Sequence, residues 1–259
     1  MQTDMTVGKP MKMLLNFTIP VFLGNVFQQL YSMADAVIVG KFVGTKGLAA
    51  VGATGTITFL IIGFLMGVTT GVTVLTSQKF GAGRMDEMRK TVGNAAILSA
   101  VIAVVMTAVS MLGMHRLLVF MHTPEDIFDG AYGYIMIICA GIFTQVLYNL
   151  VSSILRALGN SKTPLYFLIL AAGLNIVLDL VFIIFFHWGA PGAAWATVIS
   201  QGVSGVLCLI YMWKAVPELK MKKEDWYFNR DIAVKQISVG IPMGLQYSIT
   251  AIGGMMVQS

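Results

Sequence analysis

The chain has 259 residues, 57% of them hydrophobic and only 11% charged, with a mean hydropathy of +0.80. Soluble domains carry about 25% charged residues, so the composition excludes a soluble globular protein and predicts a membrane protein built of spanning helices. The net charge of +5 does not point to nucleic acid, because the basic residues fall in loops between apolar runs.

Seven apolar stretches follow one another, at about 11–40, 48–78, 92–114, 131–155, 164–186, 192–213 and 236–259. Each is long enough to cross a bilayer core, which asks for about twenty helical residues. The first lacks an A-x-A-like end and is too long for a signal-peptide core, so no cleavable leader is expected. The seventh has not closed when the chain stops at Ser259.

The first stretch carries Pro20, which costs a helix one backbone hydrogen bond and bends it. It also carries a polar stripe of Asn25, Gln28, Ser32 and Asp35 at helical spacing. The second has Gly63, Gly67 and Gly71 spaced by four, which lets a neighbouring helix approach closely; plain helix packing is the expected role. Between the fourth and fifth stretches, Gly159 reads as a helix stop, and Thr163 before Pro164 reads as an N-cap. The fourth presents Tyr134, Gln145, Asn149 and Ser152 on one face, and the sixth presents Thr197, Gln201, Ser204 and Cys208. Such stripes either hold a bundle together or line a polar cavity; several in one bundle favour the cavity. Cys139 and Cys208 lie within apolar spans and read as free buried thiols. His115, His122 and His187 have no ligand spacing, and no metal motif occurs.

Loop charge sets the expected orientation. With a cytoplasmic N-terminus, fourteen basic residues fall on the cytoplasmic side, from Lys9 and Lys12 to Arg230 and Lys235. Only Lys41, Lys46 and Arg116 fall on the other side, as the positive-inside rule requires. Around Ile241-Pro242 the chain resembles itself around Ile19-Pro20, with a shift of 222 residues. An even number of spans separates the two copies, which makes a parallel repeat of the kind transporters use.

Of twelve acidic residues, ten lie in loops or tails, Asp4 and Asp225 among them; Asp35 and Asp179 lie within spans. No lysine or arginine sits deep in a span, so each acid must be protonated, hydrogen-bonded or holding a cation. At helical rise Asp35 is about 9 Å from the outer end of its span and Asp179 about 12 Å. Thr197 and Tyr134 come to a similar depth, about 7 and 6 Å from theirs. Asn175 lies one turn before Asp179 on the same face. Asp35, Asn175, Asp179 and Thr197 together make a candidate site for H⁺ or Na⁺. Gln28, Ser32, Tyr134, Gln145, Asn149 and Gln201 are candidate cavity residues, and Pro20 a candidate hinge. The plainer readings are that Asp35 reaches water at a helix end and that Asp179 is a structural acid bonded to Asn175 or Thr197.

YSMADAVIVGKFVG followed by LAAVG, then QKFGAGR, RALGNSKTPLY, NIVLD and GAAWAT, in this order, resemble the MATE (multidrug and toxic compound extrusion) transporters. The resemblance implies an all-α fold of two six-helix lobes related by a pseudo-two-fold axis, twelve helices around a central cavity. The chain then holds an N-terminal six-helix lobe at 1–221, and at 222–259 a linker and the truncated first helix of a second lobe. It implies a secondary active exporter of lipophilic, mostly cationic compounds, an antiporter driven by Na⁺ or H⁺, with no other cofactor. It places the cation site on Asp35, Asn175, Asp179 and Thr197, further polar positions on Tyr134 and Asn149, and a bending proline on Pro20. The expected partners are membrane lipid and small amphipathic or cationic molecules, without nucleic acid. The expected location is the cell (plasma) membrane, and the complete protein is expected to act as a monomer. Two other classes compete. A flippase for a lipid-linked diphosphate calls for cationic side chains facing the cavity, absent from these spans. A membrane scaffold has no need of two unpaired acids. An enzyme is least favoured, since no nucleophile–base or metal constellation occurs.

Overall fold

The structure is a computed structural model and describes residues 10–258. Asp4 and Lys9, both placed in the N-terminal tail by the sequence, lie outside the described residues. Helices account for nearly everything: α1 (Pro10–Phe42), α2 (Thr45–Gly81), α3 (Met85–Phe120), α4 (Glu125–Ala140), α5 (Ile142–Ala157), α6 (Lys162–Leu180), α7 (Gly189–Ala215) and α8 (Arg230–Gln258). Five of them, α1, α2, α3, α6 and α7, are long and apolar enough to cross a membrane. The pair α4 and α5 makes a sixth span, bent by 46° at Gly141. All seven apolar stretches are therefore helical, and the chain is a multi-pass membrane protein.

The bend in the fourth span was not anticipated. A Cβ on Gly141 would lie 2.2 Å from Val198 of α7, so glycine is what lets α7 press into the break. A second irregularity follows α6. There the helix widens into one π turn, Val181–Phe185, which begins two residues after Asp179. Phe182 in this turn stacks on Trp188, ring centroids 5.0 Å apart, and closes the end of the helix.

The turn between α5 and α6 corrects one local expectation. Gly159 does end α5, in a left-handed conformation at φ +79°. Thr163, however, is not the cap; it lies inside α6. Asn160 caps instead: its Oδ1 accepts the Thr163 N–H at 3.1 Å and its Nδ2 donates to Thr163 Oγ1 at 2.9 Å. An amide both donates and accepts, so Asn160 ties down the backbone and the threonine hydroxyl together.

Helix α2 is the hub, packed on α3, α4, α5 and α8, while α7 packs on α4, α5 and α6. Helix α1 lies chiefly along α6. A trough is left between α1 on one side and α2 with α8 on the other. The three glycines of α2 face α8. Cβ atoms on Gly67 and Gly71 would come within 2.5 Å of the Met243 carbonyl oxygen and the Gly240 Cα. Backbone thus lies on backbone, which is the packing role the spacing suggested. The link from α7 to α8 is docked on α3 rather than loose. Asp225 there is 4% exposed, its Oδ2 accepts the Lys222 N–H at 2.7 Å, and Arg89 of α3 lies 3.6 Å away. Asn94 of α3 accepts from Asn229 N at 3.0 Å. Gln236, fully buried at the start of α8, donates to the carbonyls of Val72 and Thr91. Lys79, Arg84, Arg89 and the acids Asp86, Glu87 and Asp225 pair at this same end, hereafter the basic side.

Candidate functional site

Helices α1, α6 and α7 lie side by side, and their polar stripes meet at the end of the lobe remote from the basic side. Asp35 of α1 is 9% exposed and Asp179 of α6 is 0% exposed. The two carboxyls adjoin each other as interacting neighbours. Beneath them Asn175 Nδ2 donates to Thr197 Oγ1 of α7 at 3.3 Å, and Tyr31 OH donates to the same Oγ1 at 3.0 Å. Tyr134 of α4 is buried beside the pair. With both acids ionised, four oxygens in this cluster have no donor among the described residues: Asp35 Oδ1, both carboxyl oxygens of Asp179, and Asn175 Oδ1. Neither acid has a lysine or arginine within ion-pair distance among the described residues.

The two plainer readings of these acids are disfavoured by the geometry. Asp35 does not lie against bulk water at a helix end; it lines the trough. Asp179 is not the partner of Asn175 or Thr197, which bond to each other instead. A buried polar oxygen left unpaired costs about 1–3 kcal/mol, more when charged, so several in contact ask for a bound partner. Among the described residues no group of three or more His, Cys, Asp or Glu is placed to hold a metal ion. The oxygens here come from two carboxyls, an amide and hydroxyls, a donor set that suits a hard cation or a proton.

The trough below has a volume of about 430 Å³ and is walled chiefly by α1 and α2, with side chains from α4, α5, α7 and α8. Gln28, Ser32, Tyr134, Gln145 and Gln201 all line it, together with Asp35 and Thr197. Asn149 lines a narrower extension toward the basic side, shared with Gln28, Gln145, Gln201 and Pro20. All six candidate cavity residues thus face the trough or its extension. The polar stripes of α5 and α7 do not stay open along their length. Ser152, Ser204 and Cys208 are 0% exposed, packed where the two helices meet. Gly205 there lies against the Tyr148 backbone nitrogen, at 3.3 Å from where its Cβ would stand. One stripe therefore does both jobs, cavity wall above and helix contact below.

Sequence reasoning missed two residues of the site. Tyr31 lies one turn before Asp35 on the same face, so the spacing that found Gln28 and Ser32 was there to find it. Arg156 was assigned to a loop, and the spans were read as free of cationic groups. The structure instead keeps it in the last turn of α5, lining the narrow extension. Its position one residue past the end of the predicted span at 131–155 concealed it.

Comparison with known proteins gives concordant results. The family model described as MatE matches residues 20–181. A probable multidrug resistance protein of Bacillus subtilis, YpnP, is 33% identical over 255 residues, which is 98% of this chain and 56% of that protein. A solved structure of a multidrug resistance MATE family transporter in an outward-facing conformation has a TM-score of 0.87 at 28% identity, covering 93% of this chain and 53% of that one. A MOP superfamily transporter from Pyrococcus furiosus, described as having a binding pocket of reversed polarity, has a TM-score of 0.86 at 28% identity, with the same coverage. The chain spans about half the length of the curated relatives it matches.

Proposed function

The chain belongs to the MatE family, and from that premise we propose that it provides the cation-coupling lobe of a secondary active efflux transporter. In this reading the protein exports lipophilic, mostly cationic compounds across the cell membrane in exchange for Na⁺ or H⁺. The observation that carries it is the buried pair Asp35 and Asp179, adjacent and without a cationic partner among the described residues, with three of their carboxyl oxygens and Asn175 Oδ1 unsatisfied. Two carboxyls in contact cannot both be charged and empty at low cost. An arriving proton or Na⁺ therefore changes the balance of forces between α1 and α6, which is the differential interaction that coupling needs. Asn175 and Thr197 supply oxygens for Na⁺; a proton needs only the carboxyls.

Pro20 enters this reading as the hinge. Its nitrogen cannot donate to the Asn16 carbonyl, so α1 has a weak point there. Asp35 lies fifteen residues beyond, about 22 Å along the helix, on the arm such a hinge swings. The fourteen-to-three division of basic residues supports a cytoplasmic N-terminus. A cysteine at Lys46 then reacts with an impermeant reagent from outside the cell and one at Lys222 does not; equal reactivity of both from one side would refute the orientation.

The test of coupling is dye efflux from membrane vesicles driven by an imposed Na⁺ or H⁺ gradient. One of the two gradients should accelerate export of a lipophilic cation, and Asp179→Asn should abolish the acceleration. Export that ignores both gradients, or that survives Asp179→Asn unchanged, would sink the proposal. The lipid-linked diphosphate reading gains one cation, Arg156, but a single guanidinium among neutral groups is not the cluster a diphosphate demands.

A further inference from the structure

Three cations among the described residues are withdrawn from solvent: Lys79, Arg89 and Arg156. Lys79 is paired with Glu87, and Arg89 with Asp86 and Asp225. Among the described residues Arg156 has no acid partner. Among those residues its side chain donates to Ser153 Oγ, in its own helix, at 3.3 Å. A guanidinium carries five donors and cannot shed its charge. Held partly buried with one local acceptor, it leaves most of that capacity unused.

Its surroundings say what would use it. The extension it lines holds Asn149, Ser161 and Tyr148 and no acidic side chain. Free volume for water-sized groups there is about 50 Å³, against about 430 Å³ in the wide trough. At roughly 10–15 Å³ per water, the narrow end admits a few water-sized groups and no drug-sized body. The two spaces adjoin, and Gln28, Gln145 and Gln201 stand in the walls of both. The result is a trough with an acid, Asp35, toward one end and an unpaired cation at the other.

We propose that Arg156 and the narrow end of the trough form an oxyanion subsite. It takes the carboxylate or phosphate of an amphipathic substrate whose apolar body lies in the wide part. This rests on the efflux reading above and narrows its substrate class: amphipaths that carry an oxyanion as well as a cationic nitrogen bind better than simple lipophilic cations. Two parallel N–H···O bonds from a guanidinium fix a carboxylate's orientation, so the anionic group points toward the basic side. The plainer role for Arg156 is to complement the C-terminal end of the α5 dipole. That role requires neither a cavity-facing position nor a preference between ligands.

The experiment uses the chain purified in neutral detergent and fluorescence polarisation of two dyes, rhodamine B with its free carboxylate and its ethyl ester. Hydrogen bonds to a charged group support a preference of about tenfold for the free acid. Arg156→Gln should abolish that preference by weakening the acid while moving the ester less than about twofold, and Arg156→Lys should keep part of it. Unchanged ester binding reports that the variants are folded. The wild-type comparison needs no variant, so a variant that fails to fold does not remove the test. Equal affinity of wild type for the two dyes, an equal loss of both in an Arg156→Gln protein whose helix content and elution match the wild type, or no saturable binding of either by wild type overturns the proposal. Loss of gradient-driven efflux with the acid preference intact defeats the transport reading alone; retained efflux without the preference defeats the subsite alone.

Discussion

Two buried aspartates at opposite ends of this lobe live under opposite conditions. Asp225, 4% exposed, sits in the link before α8 with a backbone N–H at 2.7 Å and Arg89 beside it. Asp179, 0% exposed, sits in α6 with neither oxygen bonded and another acid as its ionisable neighbour. Burial alone does not separate them; satisfaction does. A carboxylate with a cation and an N–H is part of the scaffold, because breaking such a pair strands a buried charge. A carboxylate kept empty is a cost that a folded chain retains when something outside it completes the bonds. The same contrast separates Arg89, fixed between two acids, from Arg156, which faces a cavity.

The comparison is most sharply broken by exchanging consequences. Asp225→Ala should destabilise the protein by about 2–3 kcal/mol, since it leaves the Lys222 N–H without its acceptor, takes from Arg89 one of its two acids and frees the link from α3. Asp179→Asn should leave stability unchanged or raised, because it removes the need to bury a charge, while abolishing gradient-driven export. Chemical unfolding in detergent measures the first quantity for both variants. Equal destabilisation by the two would erase the distinction drawn here.

A smaller effect tests the α2–α8 contact against the open flank of the same helix. Gly71→Ala puts a methyl within 2.5 Å of the Gly240 Cα, and such overpacking costs about 1–3 kcal/mol. Gly52→Ala meets nothing within 4 Å and should stabilise α2 by up to about 1 kcal/mol through helix propensity. The two substitutions are chemically identical, so thermal melts of opposite sign would isolate the contact. Shifts of the same sign would mean that the backbone approach is not decisive.

The smallest change in stability is expected at Pro20. Pro20→Ala restores one backbone hydrogen bond and should shift stability by no more than about 1 kcal/mol. Its effect falls on rate: export slows several-fold while cation binding at Asp35 and Asp179 is retained. Full transport by the variant would leave the bend as a static kink, which is common in membrane helices.

The sequence by itself determined the number and type of spans, because a bilayer demands apolar helical segments of fixed length and turns betray their ends. It also picked out Asp35, Asn175, Asp179 and Thr197, because a polar group in an apolar run has few innocent explanations and the helical rise gives its depth. Tyr31 was equally legible by spacing. The break at Gly141 and the π turn after Asp179 were not, since both exist to fit a neighbouring helix, and periodicity along one strand of chain carries no record of the neighbour. Nor could a span boundary tell whether Arg156 turns out to water or in to the trough. That choice, like the burial of Asp225 against α3, belongs to tertiary packing: the energy of a charge is set by what surrounds it, and residues far apart in the chain supply the surroundings.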